Sequence, residues 1–414
     1  MWSRKRSKTT GSTSSPDATS PTTPDSRTAS STTQSSGTPS PATGTSAPSG
    51  TTNPTASPGT TSESATRTTR GTSTAPQQAE TPRPPVDGVD VVLTDLDGVV
   101  YRGRNAVPRA VEALTRAAST ARVGYITNNA SRRPVDVAEH LEQYGLQVTA
   151  DDVVTSSQAG ARLLATLVPA GSTVLVIGGL GLTTIVEQAG FVVTDSAEDH
   201  PAAVIQGFAP ELGWKQLAEA SFALADASVP WVATNMDWSI PVERGIAPGN
   251  GTLVAAVHQA VGRMPVVAGK PERPIFDAAL ARFGGASPLF IGDRLDTDIK
   301  GANDAGIPSV LVLTGIDQPK QVLAADQRSR PTYVLRDLRG LHEPYPVTIR
   351  HEDRDGTRRV TVGESTVSMR GHVVRAERVG PDDMDLLRAG ATAIWDSGLA
   401  IYGLDVDPKL YGGE

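Results

Sequence analysis

The chain has 414 residues with 38 basic and 45 acidic side chains, and it contains no cysteine. The absence of cysteine excludes disulfides, zinc–thiolate sites, iron–sulfur clusters and cysteine nucleophiles. From residue 86 onward the chain carries 30 basic and 41 acidic residues, and this acidic balance argues against nucleic acid as the main partner.

The first 85 residues consist almost entirely of Ser, Thr, Pro, Gly and Ala. Such a segment cannot bury enough apolar surface to offset the entropy lost on ordering its backbone, so we predict a disordered tail over 1–85. No apolar segment follows the basic start, which predicts that there is no signal peptide. No run approaches about 18 apolar residues, so we expect no membrane span and a cytoplasmic protein.

Strand and helix patterns alternate from residue 89 onward. Short apolar runs predict buried parallel strands at 89–94, 122–127, 173–177, 202–205, 231–234, 289–292 and 309–314. Amphipathic segments predict helices at 108–120, 134–144, 213–225, 251–262, 274–283 and 297–305. This alternation is typical of an α/β fold with a doubly wound, mainly parallel sheet.

The pattern changes near residue 345. Short strands are predicted at 347–350, 358–362 and 367–369, and a helix is predicted near 381–395. We therefore expect a separate small α+β appendage over 341–414.

Polar residues follow three of the predicted parallel strands. Asp95 follows the first, Thr127 ends the second, and Asp293 follows the strand at 289–292. Because ligands bind at the carboxyl ends of parallel strands, these residues are expected to lie at one rim of the sheet.

The segment Asp95-Leu96-Asp97-Gly98 carries the clearest chemistry. Asp95 and Asp97 can lie on the same side of the crevice, and Gly98 allows the sharp turn that follows. A divalent cation would relieve the repulsion between the two carboxylates. Ionised Asp95 could then attack phosphorus, while Asp97 protonates the leaving oxygen and later activates water. Taken alone, Asp-x-Asp-Gly is more often a turn or an isolated cation site.

Two further segments offer groups that bind phosphate. Thr127-Asn128-Asn129 presents a hydroxyl and consecutive backbone N–H groups to a phosphate oxygen, although a helix cap explains Thr127 equally well. Lys270 precedes a predicted helix and could neutralise both phosphate and the nucleophilic carboxylate. A lone lysine is usually a surface residue, so Lys270 indicates a phosphate site only when it is taken together with the other motif residues.

The segment Asp293-Arg294-Leu295-Asp296-Thr297-Asp298 supplies further carboxylates. Asp293, at the strand end, is placed to complete a magnesium site. Asp298 could orient Lys270 or a metal-bound water, or it could merely cap the helix.

Together these segments resemble the four motifs of the haloacid dehalogenase superfamily of phosphatases, and the resemblance covers about residues 89–340. The motif residues, in the required order, are Asp95 and Asp97, Thr127, Lys270, and Asp293 and Asp298. The resemblance implies a Mg²⁺-dependent phosphatase that acts on a small organic phosphate through an aspartyl phosphate on Asp95. It implies that Asp95, the Asp97 backbone carbonyl and Asp293 hold the metal.

The spacing of the motifs indicates a branch of the superfamily. Lys270 lies 143 positions after Thr127, which leaves room for an inserted α/β cap, so we assign 156–262 to a cap and 86–155 with 263–340 to the core. This arrangement resembles the NagD-like branch, which includes 4-nitrophenyl phosphatase and phosphoglycolate or glycerol-phosphate phosphatases. Asn235 and Asp237 are candidate cap residues near the substrate, and a turn after a strand explains them equally well.

Other readings stay open. A non-catalytic regulatory or binding protein on this fold would be expected to lack Asp95 or Asp97, and both are present. A bifunctional enzyme would use the appendage to transfer acyl groups, but the appendage is short and contains no acyl-CoA loop, which favours a docking or regulatory role. Phosphoglycolate and glycerol phosphate are the favoured substrates, and sugar phosphates and nucleoside monophosphates stay possible. A homodimer through the cap also stays open.

Overall fold

The computed structural model describes residues 81–242 and 244–412. Most of the predicted tail, residues 1–80, lies outside the described residues. At its end, Pro85 is buried and the Arg83 carbonyl accepts a hydrogen bond from Tyr345 N at 3.0 Å. The folded part therefore begins before residue 86.

The strands alternate with helices over most of the described part. In chain order, the strands are β1 (Val91–Thr94), β2 (Tyr101–Arg102), β3 (Asn105–Ala106), β4 (Arg122–Thr127), β5 (Val153–Thr155), β6 (Thr173–Ile177), β7 (Val192–Thr194), β8 (Ala203–Gln206), β9 (Trp231–Ala233), β10 (Ser239–Val242), β11 (Gly245–Pro248), β12 (Val266–Val267), β13 (Pro288–Gly292), β14 (Ser309–Val312), β15 (Tyr333–Leu335), β16 (Thr348–Glu352), β17 (Arg358–Val362), β18 (Ser365–Arg370), β19 (Val373–Arg378) and β20 (Asp405–Val406).

The helices mostly coincide with the predicted amphipathic segments. In chain order they are α1 (Ala110–Ala117), α2 (Pro134–Glu142), α3 (Ser156–Leu167), α4 (Leu180–Gln188), α5 (Trp214–Ala223), α6 (Asn250–Val261), α7 (Arg273–Phe283), α8 (Lys300–Asp304), α9 (Pro319–Ala324) and α10 (Asp383–Ser397). Among the described residues, no helix combines the length and apolar character that a membrane span requires.

The first sheet contains six parallel strands in the order β15-β14-β13-β1-β4-β5. Successive side chains of β1 face opposite layers: Val92 belongs to the buried cluster that contains Leu114 of α1, and Leu93 belongs to the cluster that contains Phe276 of α7. The carboxyl ends of β13, β1 and β4 lie side by side. The predicted doubly wound α/β fold is confirmed.

The second sheet is also parallel, with the order β12-β9-β8-β6-β7, and it is inserted in the chain between β5 and β13. Its last strand, β12, lies beyond residue 262, the predicted end of the cap. The antiparallel hairpin of β10 and β11 and helix α3 were not predicted. A capping box of Thr155 and Gln158 marks the start of α3, but Gly160 and the small residues beside it weaken its amphipathic pattern.

The third sheet consists of β16 to β19, which are antiparallel, and β20, which pairs parallel to β19. Helix α10 covers its apolar face, where Ile394 shares one buried cluster with Val367 of the sheet. The same cluster contains Leu295 and Ile299, which follow β13. The α+β region predicted from residue 341 therefore shares an apolar core with the first sheet.

Replacing Ile394 by alanine tests this shared core. Ile394 is almost fully buried, so Ile394→Ala is expected to lower the free energy of unfolding by about 2–5 kcal/mol. Leu399, which is half exposed just after α10, provides the control, and Leu399→Ala should change stability by less than about 1 kcal/mol. Denaturant unfolding followed by tryptophan fluorescence measures both. Equal effects of the two variants would contradict the shared core.

Candidate active site

Lys270 lies between two carboxylates at the rim of the first sheet. Its Nζ is 2.6 Å from Asp95 Oδ1 and 2.7 Å from Asp298 Oδ1, and all three side chains are buried. Burial disfavours the ammonium charge, but the Asp298 and Asp95 carboxylates outweigh it and raise the pKa of Lys270. Lys270 is therefore a charged residue inside the site and not the surface lysine of the alternative explanation.

The acidic residues form a compact group around this lysine. Carboxylate oxygens of Asp95, Asp293 and Asp298 lie within 4.8 Å of one another. Burial raises the pKa of Asp95 well above its usual range, and burial together with the Asp298 charge raises the pKa of Asp293 to about 7. One ammonium cannot neutralise three carboxylates, so this set of buried oxygen ligands fits a divalent cation such as Mg²⁺.

Asp298 is engaged by the protein at both oxygens. Oδ1 pairs with Lys270, and Oδ2 accepts hydrogen bonds from the backbone N–H groups of Asp293 and Arg294, each at 3.2 Å. These contacts accompany a difference from the predicted helix at 297–305. The chain instead forms a π-helical turn at Leu295–Ile299 before α8, because Asp298 folds back onto the loop that precedes it.

Asp293 is held by residues that follow β14 and that the sequence analysis missed. Its Oδ2 accepts a hydrogen bond from Ile316 N at 2.7 Å, and its carbonyl accepts one from Asp317 N at 3.2 Å. The Asp317 carboxylate in turn accepts from Leu295 N at 2.6 Å. A signal was present, since Asp317 follows a fourth parallel strand of the same sheet, but its distance from the motif residues in sequence obscured it.

Asp97 lies on the solvent side of the group. Partial loss of hydration raises the pKa of its carboxyl, while Lys270, Arg132 and hydrogen bonding from Tyr101 oppose the rise. Tyr101 is buried, and its ring lies 5.0 Å from that of His140. Tyr101 lies four residues after Asp97, yet its role in orienting Asp97 was not predicted.

Gly98 makes the close approach of the first motif to Asp293 possible. Its φ is +80°, in the left-handed region that favours glycine, and a Cβ there would overlap the Asp293 carboxylate. The Gly98 carbonyl accepts a hydrogen bond from Thr314 Oγ1 at 2.7 Å. The turn after Asp97 is thus fitted against the loop that holds Asp293.

The Thr127-Asn128-Asn129 segment forms a turn at the end of β4. Thr127 is buried, and its Oγ1 accepts a hydrogen bond from Asn129 N at 3.1 Å. Asn129 Oδ1 accepts from the Ser131 N–H and hydroxyl. Helix α2 begins at Pro134 after Arg133, so the alternative in which Thr127 caps a helix is wrong.

Asn235 and Asp237 lie next to this turn. Asn235 Nδ2 donates to the Asn128 carbonyl at 2.8 Å, and Asn235 Oδ1 accepts from Asp237 N at 3.1 Å, as in the turn explanation. Asp237 Oδ1 accepts from Asn128 Nδ2 at 3.1 Å. Burial raises the pKa of Asp237, which lies near enough to Lys270 and Arg294 for their charges to lower it in part.

Comparisons with known proteins show which family the chain belongs to. The family described as haloacid dehalogenase-like hydrolase matches residues 92–192, and a related HAD-hydrolase-like family matches residues 267–341. The D-glycerol 3-phosphate phosphatase of Mycobacterium tuberculosis (strain ATCC 25618 / H37Rv) is 42% identical over 308 residues, which are 74% of this chain and 86% of that protein. The chain belongs to the haloacid dehalogenase-like hydrolase family.

Solved structures of family members are also similar. The crystal structure of a glycerol phosphate phosphatase from Mycobacterium tuberculosis in complex with magnesium matches with a TM-score of 0.69 and 38% identity, covering 76% of this chain and 93% of that one. A p-nitrophenyl phosphatase from Archaeoglobus fulgidus matches with a TM-score of 0.57 and 28% identity, covering 62% and 98% of the chains. These similarities confirm the predicted NagD-like branch.

Replacing Gly98 by alanine tests the close approach to Asp293. Gly98→Ala is expected to displace the Asp293 carboxylate and to weaken Mg²⁺ activation at least about tenfold, a loss typical of disturbed metal surroundings. Gly88→Ala is the matched control, because Gly88 has a similar φ of +76° but open space around its Cβ. The control should lose stability only. Mg²⁺ titrations of activity compare the two, and equal metal dependence would contradict the assignment.

The raised pKa of Asp293 predicts a pH-dependent effect of metal on stability. Without metal, Asp293 titrates near pH 7 in the folded protein and near its ordinary value of 3.8 when unfolded. The folded state then binds more protons between these values, so its stability should fall as the pH rises from about 4 to about 7. Mg²⁺ should raise the unfolding temperature by about 5 °C at pH 8 and by less at pH 5.

Thermal unfolding in EDTA and in excess Mg²⁺ at the two pH values measures this effect. Asp293→Asn is the control, since a neutral side chain at this position should reduce both the pH dependence and the metal response. A wild-type response to Mg²⁺ that is larger at pH 5 than at pH 8 would contradict the prediction.

Proposed function

We propose that this protein is a Mg²⁺-dependent phosphatase that hydrolyses small phosphate monoesters through an aspartyl phosphate on Asp95. The observation that carries the proposal is the buried Lys270 ammonium, 2.6 Å from Asp95 and 2.7 Å from Asp298, with Asp293 in the same carboxylate group. Such a group provides a nucleophile, a fixed positive charge and a metal site together.

The metal would be held by the carboxylates of Asp95 and Asp293 and by the Asp97 backbone carbonyl. When bound, Mg²⁺ neutralises negative charge on the phosphoryl group and on its carboxylate ligands. Asp298 remains outside this set, because its oxygens pair with Lys270 and with backbone N–H groups.

The first step forms the aspartyl phosphate. A carboxylate oxygen of Asp95 attacks phosphorus, and the bond from phosphorus to the ester oxygen breaks. Asp97 gives its proton to that oxygen, which leaves as an alcohol. The raised pKa of Asp97 suits this role as an acid. Lys270 and the turn at Thr127-Asn128-Asn129 bind the phosphoryl oxygens.

The second step returns the enzyme to its starting state. Asp97, now a carboxylate, removes a proton from water while the water oxygen attacks phosphorus. Inorganic phosphate leaves, Asp95 is again a carboxylate, and Asp97 is again protonated. Because Asp97 lies on the solvent side of the group, it can serve both the leaving alcohol and the incoming water.

We propose glycerol phosphate as the substrate class. The support is the similarity to proteins named as glycerol phosphate phosphatases, one of which is 42% identical over 74% of this chain. Asp237, which follows β9 of the second sheet, lies near enough to Lys270 and Arg294 to sense both charges. Asp237 and Arg294 could bind the hydroxyls of a short polyol. A homodimer through the second sheet and a cytoplasmic location stay predictions.

Acyl transfer by the third sheet is not supported. The start of α10, where the pyrophosphate of an acyl-CoA would be expected to bind, carries Asp382 and Asp383. Asp382 accepts the hydrogen bond of Met384 N, and Arg336 pairs with both aspartates. These carboxylates would repel a pyrophosphate.

The Asp95→Asn variant tests the nucleophile. An amide cannot form the phosphoenzyme, so phosphate release from glycerol 3-phosphate, a hexose phosphate and 4-nitrophenyl phosphate should fall by at least about 10³-fold. Asp90→Asn is the control at the other end of β1, where the Asp90 carboxylate accepts from Ala286 N and Ser287 N, and its turnover should stay within about twofold. Wild-type turnover by Asp95→Asn would refute the proposal, and a preference for the hexose phosphate would refute only the substrate class.

A further inference from the structure

The side chain of Asn128 forms two hydrogen bonds with the main chain of Lys270. Lys270 N donates to Asn128 Oδ1 at 2.8 Å, and Asn128 Nδ2 donates to the Lys270 carbonyl at 3.0 Å. One side-chain amide thus satisfies both backbone polar groups of a residue 142 positions away in the chain. Two such bonds fix the position and the orientation of that peptide segment together.

Asn128 is itself fixed by other parts of the chain. Its second amide hydrogen is donated to Asp237 Oδ1 at 3.1 Å. Its carbonyl accepts hydrogen bonds from Ser156 Oγ at 2.6 Å and from Asn235 Nδ2 at 2.8 Å. The amide that holds Lys270 is therefore tied to the start of α3 and to the segment after β9.

The residue before Lys270 has no side chain, and the structure shows why. A Cβ on Gly269 would lie 2.6 Å from Asn128 Oδ1 and would overlap the Thr234 carbonyl. Glycine at position 269 therefore allows the Asn128 amide to lie directly against the backbone of the lysine loop, the segment between β12 and α7 that carries Lys270.

Lys270 needs such a fixed backbone because its loop, between β12 and α7, must deliver a long side chain accurately. Lysine has four rotatable side-chain bonds, and its Nζ must meet Asp95 and Asp298 at once, at 2.6 and 2.7 Å. A displacement of the backbone by about 1 Å would break one of these bonds and separate the charge from the reacting carboxylate.

We infer that Asn128 is a positioning residue that holds Lys270 against the nucleophile by pairing with its main chain. The inference rests on the proposed function for the importance of Lys270, but the pairing itself does not. Both amide hydrogens of Asn128 have protein acceptors, so the predicted phosphate contact at this position would come from its backbone N–H.

The primary test compares Asn128→Ala with Asn303→Ala. Asn303 is a matched control, because its amide also bridges main-chain carbonyls, those of Arg328 and Arg330, away from the site. With saturating Mg²⁺ and 4-nitrophenyl phosphate, Asn128→Ala should lower kcat at least about tenfold with little change in KM. Asn303→Ala should keep kcat within about twofold even if it unfolds at a lower temperature. Equal kcat losses in the two variants would overturn the inference.

A second measurement does not depend on activity. In the native protein the Lys270 amine is buried and paired twice, so an amine-acylating reagent should label it slowly, as read by peptide mass spectrometry. Asn128→Ala should increase labelling at Lys270 at least about fivefold, whereas Asn303→Ala should not. If Asn128→Ala does not fold, Asn128→Asp keeps the acceptor for Lys270 N, lacks both donors, and should show the same increase. Unchanged labelling in a folded Asn128 variant would overturn the inference.

A double-mutant cycle separates the inference from the proposed function. Because Asn128 acts through Lys270, adding Asn128→Ala to Lys270→Ala should lower kcat no further, and additive losses would overturn the positioning role. Full activity of Lys270→Ala alone would instead refute the proposed role of the lysine. In that case the labelling result would still decide whether Asn128 holds it.

Discussion

The buried ion group of Lys270, Asp95 and Asp298 is the constraint on which the rest of the site depends. A buried carboxylate is costly unless it is paired, and a buried ammonium is costly for the same reason. The lysine lies within 2.7 Å of both carboxylates, so each charge makes the burial of the others tolerable. The three residues come from distant parts of the chain, and the adjacent strands β1 and β13 bring the two aspartates together.

The same charges account for the metal. With Asp293 included, three buried carboxylates face one ammonium, and burial together with the nearby Asp298 charge raises the pKa of Asp293 to about 7. A divalent cation would restore the balance and at the same time bind a phosphoryl group, whose negative charge would otherwise add to the repulsion. The electrostatics of the carboxylate group and the chemistry of phosphate transfer thus favour the same ion.

Local patterns were sufficient to predict β1, β4 and β13, the strands at whose carboxyl ends Asp95, Thr127 and Asp293 lie. The strands at 122–127 and 173–177 have the predicted bounds. Each is a mostly apolar segment that can be recognised as a buried strand without knowing which strands it pairs with. The contacts that hold the motif residues were not predictable. Ile316 N on Asp293 and Asn128 on Lys270 are contacts between segments distant in sequence, and a single chain gives no sign of which turns will meet.

The second and third sheets support different residues of the buried ion group. Asn235 and Asp237, which follow β9 of the second sheet, form hydrogen bonds with Asn128. Asn128 in turn holds the main chain of Lys270. The third sheet supports the turn that carries Asp298, because α10 packs in one apolar cluster with Leu295 and Ile299. A residue that is polar, buried and part of a hydrogen-bond network can move only if its neighbours move with it. The placement of Lys270 relative to Asp298 is therefore determined by all three sheets, although the reacting groups themselves lie at the rim of one.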